Sequence, residues 1–269
     1  MSKVRAIEPR GSVAAFGAGA AVAVLGGLIG LGGAEFRLPL LLMFGLAVLP
    51  AIIVNKAISL VVVTSALLFR GTAVPVASVA EQWPVIVNLL LGSLAGAWIA
   101  AGWATRWRGA TLQRVVALLL VLIAAMLLLH PGHAGAAPVL DGMALRVAGV
   151  VVGFGIGIVA SLLGVAGGEL LIPTLVLLFG IDLKLAGSVS LAISLPTMLA
   201  GFARYGRDSS FAVLRTHRGF VLAMAAGSVL GAALGGLLLG SVPVVLLLPA
   251  LAAVLAASAI RMWGIGDGH

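Results

Sequence analysis

Two glycine-rich junctions hold the residue types that could do chemistry in this chain. Residues 30–39 read GLGGAEFRLP and residues 164–173 read GVAGGELLIP, and each run leads into a short apolar stretch. A helix that begins after such a break presents unpaired N–H groups and a partial positive charge, which attract an anion. Close helix packing through glycine is the alternative. The backbone predicted to bind an anion is that of Gly32, Gly33, Ala34, Ala166, Gly167 and Gly168.

A carboxylate stands at the same place in both junctions. Glu35 and Glu169 are the only acidic residues inside long apolar stretches. A charge near the centre of a bilayer costs at least about 2.5–3.5 kcal/mol, and a desolvated carboxyl tends to take up a proton. We therefore expect this pair to carry a coupling proton or to donate a hydrogen bond to an anionic substrate. Capping of the helix that follows is the alternative.

Arg37 is a basic residue in the first junction, and the matching position of the second junction holds Leu171. Three roles are open to this side chain: an ion pair with Glu35, extension to the membrane interface, and direct binding of substrate. The sequence gives them equal weight.

Small hydroxyl side chains occur along the apolar stretch after each junction. The runs KAISL and GSVSL align Ser59 with Ser190, and both serines are predicted to bind substrate. Hydrogen bonding to a helix backbone is the alternative for such serines. The glycines of GSLAG (92–96) and GSVLG (227–231) have a spacing that suits contact between helices.

The composition places these junctions in a membrane. Of the 269 residues, 62% are hydrophobic and only 9% are charged, whereas a soluble domain is nearer half apolar and a quarter charged. The excess of basic residues falls in short gaps between apolar runs rather than on a face with stacking aromatics, so nucleic acid is not an expected partner. The sequence has no cysteine and no recognisable catalytic or metal-ligating motif. An enzymatic activity, a cofactor and a metal are therefore not expected.

Ten apolar stretches divide five and five, which predicts a first repeat at 1–129, a connector at 130–143 and a second repeat at 144–269. The second stretch of each half, 36–50 or 170–181, is short for a full crossing and suits a re-entrant hairpin with the helix before it. A competing count joins the first two stretches of each half into one crossing, which gives four plus four segments in parallel.

The basic residues predict the orientation. If every stretch reverses direction, eleven Lys and Arg residues fall on the side of the N-terminus, against three on the other side, Arg70, Arg146 and Lys184. The positive-inside rule then places both termini in the cytoplasm. Five reversals in each half make the second half upside down relative to the first, which is the inverted-repeat plan of many secondary transporters.

The duplicated glycine run that ends in a proline resembles the TauE/SafE family of sulfite exporters and related permeases. The GSLAG and GSVLG runs and the serine-bearing segment AGSVSLAISLPTMLAGFARY (186–205) share this resemblance, which covers nearly the whole chain. It implies export or uptake of sulfite, sulfoacetate or a related sulfur-containing anion. The family's glycine motif usually has an aromatic or aliphatic residue where Glu35 and Glu169 stand here, a departure that bears on the substrate and the coupling ion.

These observations predict an all-α polytopic membrane protein of two inverted repeats with glycine-rich helix breaks. We expect a secondary transporter of a small anion in the inner membrane, proton-coupled through Glu35 and Glu169. A cation-coupled carrier or channel for H⁺ or Na⁺ with a non-sulfur substrate is the main rival, and a membrane scaffold is a third class. The expected partners are the anion and the lipid bilayer, and a homodimer is a candidate assembly.

Overall fold

The computed structural model describes residues 9–29, 34–70, 75–129 and 141–237, and these form helices and no strand. The helices are α1 (Pro9–Ile29), α2 (Ala34–Met43), α3 (Val48–Arg70), α4 (Val76–Glu81), α5 (Trp83–Ala104), α6 (Gly109–Leu129), α7 (Gly142–Leu163), α8 (Gly168–Leu177), α9 (Leu183–Tyr205), α10 (Val213–Thr216) and α11 (Arg218–Leu237). The predicted all-helical class is thereby confirmed.

Five of the described helices are long and apolar enough to cross a membrane. These spans are Val48–Leu67, Trp83–Ala104, Gly142–Leu163, Leu185–Tyr205 and Arg218–Gly235. The stretch predicted at 243–261 lies outside the described residues, as does most of the connector. The chain is a membrane protein with several apolar helices.

The second stretch of each half forms a short helix of 10 residues, α2 or α8. The predicted end of the first of these stretches at residue 50 is wrong, because α2 stops at Met43. Gly45 has a φ of +87° there, and the Leu46 N–H donates back to the Leu41 carbonyl at 3.3 Å. A glycine in this conformation with such a bond closes a helix.

Helices α5 and α7 pack together through glycine. A Cβ on Gly92 would collide with the Val150 carbonyl, and a Cβ on Gly96 would collide with the Phe154 carbonyl. Each step of four residues along α5 matches a step of four along α7, so the two helices run in the same direction. The packing role predicted for these glycines is confirmed.

Helices α1 and α11 repeat this arrangement. Gly227 lies against the Phe16 carbonyl and Gly231 lies against the Ala20 carbonyl, again with no room for a Cβ. The contacts advance together along both helices, so α1 and α11 also share a direction. Each of the two glycine-packed pairs therefore joins one helix from the first half of the chain to one from the second half.

Helix α3 runs opposite to α7. Asn55 reaches the Leu163 carbonyl, whereas Lys56, the next residue along α3, reaches the Ala160 carbonyl, and Gly164 lies against the carbonyl of Ile52. Contacts therefore move backward along α7 as they move forward along α3.

Helix α9 runs alongside α5 in the same direction. The hydroxyls of Ser93 and Thr197 lie 2.7 Å apart, and Gly102, nine residues further along α5, lies against the side chain of Arg204. Helices α5, α7 and α9 consequently share one direction, which α3 opposes.

Because the helix directions are known, the charged residues of the described helix ends and loops can be assigned to one end of the bundle or the other. Where α5 and α9 end, the charged residues are Arg106, Arg108, Arg114, Arg204, Arg207, Arg215, Arg218 and Asp208. Where α5, α7 and α9 begin, they are Arg70, Arg146, Lys184, Glu81, Asp141 and Asp182. One end of the described bundle is thus strongly basic and the other is balanced.

Two neighbouring glycines of α7 test the packing against α5. A Cβ on Gly153 would lie 2.5 Å from the Leu89 carbonyl oxygen, whereas a Cβ on Gly155 would meet nothing within 4 Å. We expect Gly153→Ala to lower the free energy of unfolding by about 1–3 kcal/mol through overpacking. Gly155→Ala should leave it unchanged or raise it by up to about 1 kcal/mol, because alanine favours a helix. Thermal unfolding of the purified variants in detergent measures the difference, and equal melting temperatures would refute the close approach of these helices.

Candidate functional site

Arg37, Asn55 and Ser59 form a buried polar cluster between α2 and α3, called here the Arg37 cluster. Arg37 is completely buried, and its Nη1 donates to Asn55 Oδ1 at 3.2 Å and to Ser59 Oγ at 3.1 Å. A buried cation is costly unless hydrogen bonds and opposite charge compensate it. Of the three roles open to Arg37, extension to the membrane interface does not fit this burial.

Asn55 connects the Arg37 cluster to the ends of two helices. Its Nδ2 donates to the Ala34 carbonyl at 3.0 Å and to the Leu163 carbonyl at 2.9 Å, while its Oδ1 accepts from Arg37. Ala34 is the first residue of α2 and Leu163 is the last residue of α7. A single side chain therefore holds together the positions where one helix begins and another ends.

The chain turns sharply between α7 and α8. Gly164 has a φ of +69° and Gly167 has a φ of +79°, values that side chains with a Cβ rarely adopt. The Val165 N–H donates to the Ala160 carbonyl at 3.0 Å, which closes the last turn of α7. A Cβ on Gly164 would lie 2.5 Å from the carbonyl oxygen of Ile52 on α3.

The loop between these helices offers hydrogen-bond donors. Within the described residues, the N–H groups of Ala166, Gly167 and Gly168 have no backbone partner. Gly168 begins α8, where a helix has a partial positive charge. The carbonyl of Ala166 accepts from Ser194 Oγ at 2.7 Å, so α9 fixes the loop from its other side.

Ser59 and Ser190 are both buried, but they bond differently. Ser59 accepts from Arg37, whereas Ser190 donates to the Gly187 carbonyl of its own helix at 2.9 Å. Helices α3 and α9 each have 23 residues, and the run AISL occupies the tenth to thirteenth position of both. This register pairs Ser59 with Ser194 rather than with Ser190, so the alignment made from KAISL and GSVSL is revised.

Several predicted site residues cannot be placed. Gly32 and Gly33 lie outside the described residues. Glu35 and Glu169 fall in the first turn of α2 and α8, but their side chains also lie outside the described part of the structure.

The structure adds two residues of α3 that the sequence reasoning did not assign to the site, Asn55 and Lys56. Both are completely buried, and Lys56 Nζ donates to the Ala160 carbonyl at 3.3 Å. The sequence did contain a signal for these two residues, because an amide and an ammonium stand inside an apolar stretch. Polar side chains inside a membrane segment usually face the interior of the protein.

A bundle of membrane-crossing helices with buried cationic and hydroxyl side chains beside a helix break has the construction of a membrane transporter. Comparison with protein families agrees: the family described as Sulfite exporter TauE/SafE matches residues 15–263, and the chain belongs to this family. No curated protein and no solved structure matched the chain.

The amide of Asn55 can be tested by substitution with leucine, which has a similar volume and no polar atom. Asn55→Leu leaves the Leu163 carbonyl without its donor, removes an acceptor of Arg37 and takes away the additional hydrogen bond to the Ala34 carbonyl. Each buried group left unpaired costs about 1–3 kcal/mol, so we expect a loss of unfolding free energy of at least about 2 kcal/mol.

Asn88→Leu is the matched control, because the Asn88 amide donates to a single carbonyl near the bundle end. It should cost less than the Asn55 variant when both are unfolded in the same detergent. An Asn55→Leu protein as stable as wild type would show that the amide does not hold the two helix ends.

Proposed function

We propose that this protein is a secondary transporter of a small sulfur-containing anion, sulfite or an organosulfonate, and that the anion binds at the Arg37 cluster. The observation that carries the proposal is the hydrogen bond between the buried side chains of Arg37 and Ser59, next to the Asn55 amide that reaches the end of α7. Membership of the TauE/SafE family supports the substrate class.

The chemistry of the cluster favours an oxyanion. A guanidinium has five donors in a planar fork that fits two oxygens of one anion, and it keeps its charge at any physiological pH. The Ser59 hydroxyl is a further donor. Asn55 connects this cluster to the end of α7, next to the turn in which the N–H groups of Ala166, Gly167 and Gly168 have no backbone partner among the described residues.

Alternating access in this proposal comes from two inverted repeats, 1–129 and 144–269, joined by the connector at 130–143. The two glycine-packed pairs support this division, because α1 with α11 and α7 with α5 are equivalent pairs under the duplication. The shared direction of α7 and α9 also favours a reversal at the glycine break over a single fused crossing. Rocking of such repeats about a fixed site exposes it to each side in turn.

The proposed orientation follows from the charges at the two ends of the bundle. The positive-inside rule assigns the end with Arg106, Arg108, Arg204 and Arg207 to the cytoplasm. Both termini lie on that side if the described helices continue to alternate, and the expected location is the inner membrane.

Replacement of Arg37 tests the proposed function. We expect Arg37→Met to reduce counterflow of radiolabelled sulfite into sulfite-loaded proteoliposomes by at least about 100-fold, because a buried hydrogen-bonded charge is lost. Arg37→Lys should retain part of the rate, since lysine keeps the charge but not the fork.

Arg114→Gln is the control, because Arg114 is an exposed arginine of α6. Folding of each variant is checked by gel filtration. Wild-type rates in the Arg37→Met protein would remove the anion from this cluster. A wild-type protein that moves neither sulfite nor a sulfonate would overturn the function itself.

The two glutamates carry the coupling proton in this proposal. In the variant with Glu35→Gln and Glu169→Gln, glutamine keeps the shape of the neutral acid but cannot release a proton. We expect counterflow of sulfite to persist and uptake driven by a proton gradient to fall to the background rate. Proton-driven uptake at the wild-type rate in this double variant would leave capping as the role of the pair.

A further inference from the structure

A second buried polar group lies where α3, α7 and α9 meet. Lys56 and Ser161 are both completely buried, and a Cβ placed on Gly201 would lie 3.0 Å from Lys56 Nζ and 3.0 Å from Ser161 Oγ. The ammonium and the hydroxyl therefore converge on one point beside the backbone of α9. We name Lys56, Ser161 and Gly201 the Lys56 cluster.

The hydrogen bonds of the Lys56 cluster are incomplete within the described residues. Lys56 Nζ has three donors and one hydrogen bond there, to the Ala160 carbonyl at 3.3 Å. The Ser161 hydroxyl has no partner in that part of the structure. Tyr205 donates its hydroxyl to the Ser161 carbonyl at 3.0 Å, which fixes the backbone of α7 without using the serine side chain.

Such an arrangement is costly for stability alone. A buried hydroxyl without a partner and a buried ammonium bonded to a single carbonyl both cost free energy relative to apolar residues of similar size. Glycine at position 201 keeps a side chain away from both groups, since a Cβ there would lie 3.0 Å from Lys56 Nζ and 3.0 Å from Ser161 Oγ. Donors that converge on such a point, with a positive charge among them, suit a ligand with several acceptor oxygens and a negative charge.

We propose that the Lys56 cluster is a second binding position for a small oxyanion, separate from the Arg37 cluster. Lys56 supplies the charge, Ser161 donates a hydrogen bond, and Gly201 keeps a side chain away from these two groups. This inference rests on the proposed function, since the anion is of the class transported. The two positions are served by adjacent residues of α3, because Asn55 belongs to one cluster and Lys56 to the other. With the two positions next to each other, an anion can move from one cluster to the other and keep hydrogen-bond donors beside it.

The experiment compares two buried serines whose hydroxyls lack a partner within the described residues, Ser161 and Ser188. Both Ser161→Ala and Ser188→Ala remove a hydroxyl that no described residue satisfies, so both should melt at or above the wild-type temperature. Only Ser161→Ala should slow sulfite counterflow in proteoliposomes, by about 10-fold or more, because it removes a hydrogen bond to a charged ligand.

Gly201→Ala and Lys56→Met give independent tests with the same expected loss of counterflow. Gly155→Ala is the control for the glycine variant, because a Cβ there meets nothing within 4 Å. Wild-type counterflow in folded Ser161→Ala and Gly201→Ala proteins would overturn the second position and leave the Arg37 cluster as the site. Equal losses in Ser161→Ala and Ser188→Ala would also overturn it. An absence of sulfite counterflow in the wild-type protein would instead be a failure of the proposed function.

Discussion

The backbone groups at a helix end that lies inside a membrane protein must find a donor or acceptor within the protein, because the hydrocarbon core offers no water. Asn55 meets this requirement at the end of α7, since its amide donates to the last carbonyl of that helix, and the same amide also donates to the first carbonyl of α2. The oxygen of the same amide accepts from Arg37, so one side chain connects the start of α2, the end of α7 and a buried guanidinium. Without a polar side chain from α3 at this position, the last carbonyl of α7 would lose the donor that Asn55 provides.

Close backbone contact is the second constraint on this bundle. Lipid is as apolar as a leucine side chain, so helices in a membrane associate through tight packing rather than through the hydrophobic effect. The glycines of α5, α7 and α11 let carbonyl groups of the neighbouring helix approach where no Cβ would fit. Rigid helix pairs of this kind provide the frame against which the polar side chains of α3 are held.

Much of this architecture could be predicted from the sequence, because its determinants are local. Glycine at positions 92, 96, 227 and 231 signals helix contact through spacing alone, and the low charge content signals the membrane. The partners of Asn55 and Lys56 could not be predicted, since they are backbone carbonyls 108 and 104 residues away along the chain. The alignment of Ser59 with Ser190 was revised for a different reason. The run AISL occurs at 57–60 and again at 192–195, so the sequence itself already offered Ser194 as the counterpart of Ser59.

Helices of one half of the chain pack against helices of the other half, and this bears on how such a chain arose. Helices α1 and α7 each find their glycine-packed neighbour in the opposite half, α11 or α5. If the halves are inverted repeats, as proposed, a single ancestral half would have had no neighbour of its own for this contact. It could have made this contact only with a second copy inserted in the opposite orientation. Fusion of two gene copies would then have placed both halves in one polypeptide. The one-to-one ratio and the opposite orientations of the halves would no longer have depended on how two separate copies were inserted.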